Sequence, residues 1–219
     1  MKWCKNRCYD SEGVRLHGWL ALRQESPLVA AKQLQQSNAQ PAVAGVKLGE
    51  QPLLGYLNLR GQGDGFADTV QQSIGLMLPT TANTLSENDD HALCWLGPDE
   101  WLLIVPPGEQ DALASQLQTA LQAQQPALHC AITDTSSGLC TISISGQYAR
   151  AVLAKGCPLD LHPRVFAVGQ CAQTVLAKAG VLLRPRADDS LHIIVRRSFA
   201  DYLWRWLVDA AEEYGVAVI

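Results

Sequence analysis

Charge is what this chain is shortest of. Only 17% of its 219 residues are Asp, Glu, Lys or Arg, against about a quarter in an average globular domain. Acidic residues outnumber basic ones by 21 to 17, for a net charge of −4. With no excess of Lys and Arg, no basic stripe can neutralise a phosphate backbone, which excludes a nucleic-acid partner. Long apolar runs are also missing. The longest, Trp101–Val105 and Ala179–Leu183, are strand-sized, whereas a bilayer-spanning helix needs about 20 such residues. The basic start, Met1 to Cys8, is followed by Asp10, Glu12, Arg15 and His17. No signal-peptide apolar segment forms there, so the expected location is cytoplasmic with no membrane association. Apolar residues still make up 47% of the chain, enough for a sizeable core. The low charged fraction favours a surface partly covered by another protein.

Catalytic and cofactor motifs are largely absent as well. No G-x-G-x-x-G, Walker, G-x-S-x-G or H-E-x-x-H pattern occurs. Gly61-Gln-Gly63-Asp-Gly65 precedes a helix, but its spacing fits a tight turn better than a phosphate cradle. The seven cysteines, Cys4, Cys8, Cys94, Cys130, Cys140, Cys157 and Cys171, are odd in number and irregularly spaced. They read as free thiols, several of them buried. Cys4 and Cys8 lack a second pair with zinc spacing. His129 and His192 fall in expected strands, as sheet-surface or satisfied core residues. Asp160 and His162 could orient one another, but no nucleophile accompanies them. In Lys155-Gly156-Cys157 the expected roles are a left-handed helix stop at Gly156 and inward packing for Cys157. Asp99-Glu100 and Asp188-Asp189 sit at hairpin tips, where solvated turn residues belong. The expected catalytic, cofactor-binding and metal residues are therefore none.

Residues 1–26 read as a partly disordered extension. Residues 27–219 read as a single α+β domain, internally duplicated, with halves at about 43–125 and 126–219. Residues 27–41, rich in Ala and Gln, hold a short helix at best. In the first half a strand over Leu53–Leu59 leads to a helix with Phe66, Val70, Ile74 and Met77 on one face, capped by Asp64 and closed by Gly75 and Pro79. A hairpin, Ala92–Leu96 and Glu100–Val105, leads to a helix with Leu113, Leu117 and Leu121 inward. The same order recurs from Leu128–Asp134 and Leu139–Ser145 onward. It passes through a helix after Gly146, strands over Cys171–Lys178, Val181–Pro185 and Leu191–Arg196, and a last helix with a Ser198-x-x-Asp201 capping box. Each half is thus β-α-β-β-α, close to a ferredoxin-like arrangement.

Tryptophan is abundant, six against three phenylalanines. At 100° per residue the last helix turns Phe199, Leu203, Trp206, Leu207 and Ala210 inward. Trp204 falls off that face and is the one interface candidate.

Several strings carry a family resemblance. Leu57-Asn-Leu-Arg-Gly61, Leu78-Pro with Ala82-Asn-Thr84, and Trp95-Leu-Gly-Pro-Asp-Glu-Trp-Leu-Leu103 resemble the gamma subunit of heterotetrameric sarcosine oxidase. So do Leu153-Ala-Lys-Gly-Cys-Pro-Leu-Asp-Leu161, Gly169-Gln-Cys-Ala-Gln-Thr174 and Val195-Arg-Arg-Ser-Phe-Ala-Asp-Tyr-Leu203. The likeness runs from about Ser26 to the C-terminus. More distantly, Gly-Pro-Asp-Glu-Trp-Leu-Leu and the Ile-Ser-Gly string before Ala149-Arg150 are similar to the folate-binding fold of aminomethyltransferases, the T-protein of glycine cleavage.

The resemblance implies a role in a complex that demethylates sarcosine to glycine, forming hydrogen peroxide and passing the one-carbon unit to tetrahydrofolate. It also implies alpha, beta and delta subunits as partners. FAD, FMN, NAD, zinc and tetrahydrofolate would reside in those partners and no cofactor in this chain. Two readings follow: a non-catalytic, interface-forming subunit, or a stand-alone folate-binding or aminomethyltransferase-like protein. The second needs an acidic residue in the region of Pro52–Arg60, which offers none. The Lys-Gly-Cys signature of folate-binding iron–sulfur repair proteins is matched at three positions only and broken by Pro158.

Overall fold

Alternation along the strands decides the layering. A strand sends successive side chains to opposite faces. In β2 (Gly55–Arg60), Leu57 and Leu59 go one way, and Tyr56 and Asn58 the other. The same alternation holds in β5 (Glu100–Val105), where Trp101, Leu103 and Val105 oppose Leu102 and Ile104. Both faces of each strand are therefore at least partly apolar, and both are covered.

The computed structural model describes residues 25–36 and 44–219. The expectations placed on Trp3, Cys4, Cys8 and Trp19 lie outside the described residues. The first sheet has strand order β3-β4-β5-β2-β6, with β3 at Leu85–Glu87, β4 at Ala92–Gly97 and β6 at Ala131–Asp134. Helices α2 (Asp64–Ile74) and α3 (Gln110–Gln122) cover its outer face through Phe66, Val70, Leu113, Leu117 and Leu121. The second sheet has order β11-β1-β7-β10-β9-β8. Its strands are β1 (Val46–Gln51), β7 (Leu139–Ser145), β8 (Ala172–Leu176), β9 (Ala179–Pro185), β10 (Leu191–Arg196) and β11 (Val216–Val218). Helices α1 (Val29–Gln36), α4 (Ala149–Ala154) and α5 (Ala200–Ala211) lie on its outer face.

The inner faces of the two sheets meet each other. Tyr56, Cys94, Leu102 and Ile104 from the first sheet share one apolar cluster with Cys171, Leu182 and Ile194 from the second. The layers are helix, sheet, sheet, helix. Both sheets use the same strand order when β1 is set aside.

Sheet membership does not follow a cut at 125/126. β1, from the N-terminal side of that cut, pairs antiparallel with β7 and parallel with β11. β6, from the C-terminal side, pairs with β2. Each sheet thus borrows a strand from the other side of the cut. Partner choice across a sheet is non-local, so residue order along the chain does not reveal it.

Three local expectations are corrected. Helix α2 is entered through Gly63 with φ 86°, and Asp64 is its first residue rather than its cap; no side-chain cap bond forms. Gly75, with φ 71°, does close it in the left-handed conformation. The Ser198-x-x-Asp201 box does not form. Residues Arg197–Phe199 make a 3₁₀ turn, and Asp201 instead accepts from Arg205 Nε at 2.9 Å.

The third correction concerns Trp204. Helix α5 begins at Ala200, so Phe199 stays in the turn and is 40% exposed. The buried stripe is Ala200, Leu203, Trp204, Leu207 and Ala211. Trp204 is 1% exposed, within the core of the second sheet, and Trp206 is half-buried beside it. Anchoring the helical phase on Phe199 rotated the expected face; a core-buried Trp204 ring is not presented to a partner.

Candidate functional site

The seam between the two sheets gathers most of the polar chemistry. At its centre Tyr56 on β2 and Thr141 on β7 share a buried hydroxyl–hydroxyl bond of 2.8 Å. Burial pushes the Tyr56 phenol above its usual range, with the Thr141 bond opposing. Cys94 and Cys171 meet nearby, both fully buried. The Cys171 thiol donates to the Thr84 carbonyl at 3.3 Å. The side-chain bond to Cys171, reinforced by burial, raises the Cys94 thiol.

One end of the seam is cationic. Arg184 on β9 is only 6% exposed, and its Nε has no hydrogen-bond partner among the described residues. Its Nη1 lies 3.5 Å from Glu87, whose carboxylate also pairs with Arg186. Next to them, burial and then the charges of Arg184 and Arg186 push the His192 imidazole down to about 4. His192 is therefore neutral at pH 7.

The other end opens into a cavity of about 560 Å³. Leu102 and Asn58 face it from the first sheet, and Gly180, Leu182, Ile194 and Arg196 from the second. Asn58 Nδ2 donates to Glu100 Oε1 at 2.8 Å, and Glu100 also pairs with Arg60 at 3.4 Å. Glu100 is thus a paired strand residue rather than a freely solvated turn residue.

The other positions singled out in the sequence scatter. Asp160 and His162 do not form a dyad. The Asp160 carboxylate accepts the backbone N–H of His162 at 2.9 Å, and His162 Nδ1 accepts the Arg164 N–H at 3.2 Å. The imidazole is spent on a local turn. Lys155 turns away from Cys157 to the Glu213 carboxylate and the Ala210 carbonyl, with its ammonium 4.9 Å from the Tyr214 ring centre. Cys157 packs inward beside Thr174, 3.8 Å from its hydroxyl.

Gly156 is not left-handed. A Cβ there would lie 2.6 Å from Trp206 Cζ2, so close approach of the indole is what requires glycine. Gly61 is similar, its absent Cβ 2.5 Å from the Phe66 ring. That glycine cluster serves packing and helix entry, and does not fit a phosphate cradle. Among the described residues no three His, Cys, Asp or Glu side chains gather as a metal site.

Of the seam residues, Tyr56, Thr141, Asn58, Arg184 and Arg196 were missed in the sequence. One signal was present: Asn58 stands between two core leucines.

With the geometry in view, likeness to known proteins becomes informative. The sarcosine oxidase, gamma subunit family matches residues 60–213. The sarcosine oxidase subunit gamma of Corynebacterium sp. (strain P-1) is 35% identical over 188 residues, covering 84% of this chain and 90% of that protein. A chain of the heterotetrameric sarcosine oxidase from Corynebacterium sp. U-96, solved in complex with pyrrole 2-carboxylate, superposes with a TM-score of 0.78 at 32% identity, covering 89% of this chain and 98% of that one. The aminomethyltransferase T of the glycine cleavage system from Bartonella henselae shares the fold at 14% identity, with a TM-score of 0.59 over 80% of this chain and 48% of that one. No described helix is long and apolar enough to cross a membrane. The match of family, sequence and fold over most of its length places this chain in the sarcosine oxidase gamma subunit family.

Proposed function

We propose that this chain is the gamma subunit of a cytoplasmic heterotetrameric sarcosine oxidase and that it builds the complex without performing its chemistry. The observation that carries this reading is coverage. The likeness to the heterotetramer's chain extends over 98% of that chain and 89% of this one. The polar groups of the seam support it further. Tyr56 with Thr141, Glu87 with Arg186, and Asn58 with Glu100 satisfy one another, as structural partners do.

In this reading alpha, beta and delta subunits hold FAD, FMN, NAD, zinc and tetrahydrofolate and carry sarcosine oxidation. Here FAD and FMN accept and pass electrons, while this chain supplies surface. The test is co-expression with candidate alpha, beta and delta subunits, followed by size-exclusion chromatography with a flavin absorbance scan. The chain is expected to elute with the yellow peak. Purified alone and given sarcosine, it is expected to form no peroxide above background. Turnover by the isolated chain overturns the reading.

A further inference from the structure

The strands at the margins of the two sheets are not alike. β3 and β11 have three residues each, and β6 has four. Glu87 stands in β3, and Asp134 ends β6. Shortness and charge are how edge strands avoid pairing with foreign chains. β8, the margin of the second sheet, has less of both. It runs for five residues, Ala172-Gln-Thr-Val-Leu176, with no charged side chain and no proline, and it pairs regularly with β9.

The outer edge of β8 can be followed group by group. Leu176 and Ala179 flank the two-residue turn Ala177-Lys178 and so form a hydrogen-bonded pair. Bonded pairs alternate along an antiparallel ladder, so the next are Thr174 with Val181 and Ala172 with Leu183. Residues 171, 173, 175 and 177 therefore turn their N–H groups away from β9. Two of these are taken. The Cys171 N–H donates to the Asn83 carbonyl and the Ala177 N–H to the Gly156 carbonyl, both at 2.9 Å. Between these clamps the backbone groups of Gln173 and Val175 have no bond to another segment among the described residues. Both residues are exposed, Val175 at 49%.

The clamps also narrow the occupant. From Cys171 to Ala177 the window spans about 20 Å at the usual strand rise, room for a short extended segment. A second β8 does not fit it. Paired antiparallel about Thr174, the copy's Ala177 would lie opposite Cys171, where Asn83 already stands. Charge gives the rest. Between Gly169 and Leu183 the one charged residue is Lys178. It is exposed at the Gly156 end of the window and has no ion-pair partner among the described residues.

We infer that the edge of β8 docks a short extended segment of a partner subunit, added as a further strand at Gln173 and Val175 with an acidic side chain toward Lys178. Main-chain bonding to an exposed edge is a recurring mode of protein recognition. The inference rests on the assembly role proposed above and locates a surface for it.

Backbone hydrogen exchange on the full chain, free and co-expressed with the alpha, beta and delta subunits, tests this. The Gln173 and Val175 amides should exchange fast in the free chain and about 100-fold or more slower in the complex, while the Thr174 amide, bonded within the ladder, is slow in both. Val175→Pro removes only an outward N–H, where an edge strand accepts proline. It should keep the thermal midpoint of the free chain and cut the chain's share of the flavin-containing peak about tenfold or more. Val175→Lys leaves the backbone intact and should act in the same direction, which keeps the test decisive if the proline variant does not fold. A parent chain that never elutes with the flavin overturns the assembly role and this inference with it. With a parent that does, unslowed exchange at Gln173 and Val175, or full assembly of a folded Val175→Lys, overturns this inference alone. So does slowing that grows with concentration of the free chain, which would give the edge to a second copy.

Discussion

The two sheet-and-helix units share a strand order but differ in how they are closed. The core beneath α1, α4 and α5 holds twenty-seven buried apolar residues, against thirteen beneath α2 and α3. The larger core has recruited β1, α1 and Leu28 from the start of the chain. The smaller is finished by β6, whose four residues are mostly exposed. Each unit also contains one deeply buried tryptophan, used differently. Trp101 Nε1 donates to the Pro79 carbonyl at 2.8 Å and its ring packs on Phe66 at 5.8 Å. Trp204 Nε1 has no hydrogen-bond partner among the described residues. One topology thus tolerates two solutions, a smaller core whose buried indole N–H is bonded and a larger one whose buried indole is held by packing.

The strongest test of that contrast is truncation at Trp204. Trp204→Ala should lower stability by ~3–5 kcal/mol, the range for removing a buried aromatic, as read by chemical denaturation with circular dichroism. A loss below ~1 kcal/mol would show that the second core does not depend on this ring. Replacement by phenylalanine separates the two tryptophans. Trp204→Phe forfeits packing only, whereas Trp101→Phe also leaves the buried Pro79 carbonyl without its donor, a further ~1–3 kcal/mol. Equal losses at the two positions would break the comparison.

Acid should act on the seam. The His192 imidazole sits at about 4 when folded, below its usual 6.5, so the unfolded chain binds more protons between those values. Its stabilising contribution is complete above pH 6.5 and is lost as pH falls toward 4; the full loss is on the order of 3 kcal/mol. Denaturation midpoints of the parent and His192→Gln, followed from pH 7.5 to 4, should converge as pH falls. Parallel profiles would remove His192 from the acid response.

The bond joining the two units offers a smaller effect. Tyr56→Phe strands the Thr141 hydroxyl in the interior and should cost ~1–3 kcal/mol. Adding Thr141→Val should recover much of the loss, because both partners are then apolar. A double variant as unstable as the sum of the singles would show that the bond does not couple the sheets. Smallest is the contact at Gly156. Gly156→Ala pushes a methyl into the Trp206 ring and should cost ~1–2 kcal/mol. The same change in a Trp206→Ala background should cost less.

Much of the outline was legible because it depends on local rules. Strands β7 and β10 and the inward leucines of α3 follow from period-2 and period-4 spacing that no distant contact overrode. The family strings carried the assignment to the gamma subunits. What escaped depends on which surfaces meet. The face of α5 turned on whether Phe199 belongs to the helix, a boundary question of one residue. The need for glycine at position 156 comes from an indole fifty residues away. The Tyr56–Thr141 bond spans eighty-five residues, and neither residue announces it. The seam is a product of two sheets stacking, so its cavity, its cationic end and its dithiol centre have no signature in either sheet alone.

The placement of β1 also has a bearing on synthesis. The chain emerges N-terminus first, and β1 is the first of the described strands to leave the ribosome. Its antiparallel partner β7 follows some ninety residues later, and its parallel partner β11 is the last of the described strands. The unit built on β2 to β6 has all its strands in hand well before then. Domains generally fold as they are completed during synthesis. Meanwhile β1 waits with both edges unpaired, and such an edge invites pairing with foreign strands. Lys47, the second residue of that strand, puts a charge where a passing strand would add, a safeguard suited to a strand that is made before both of its partners.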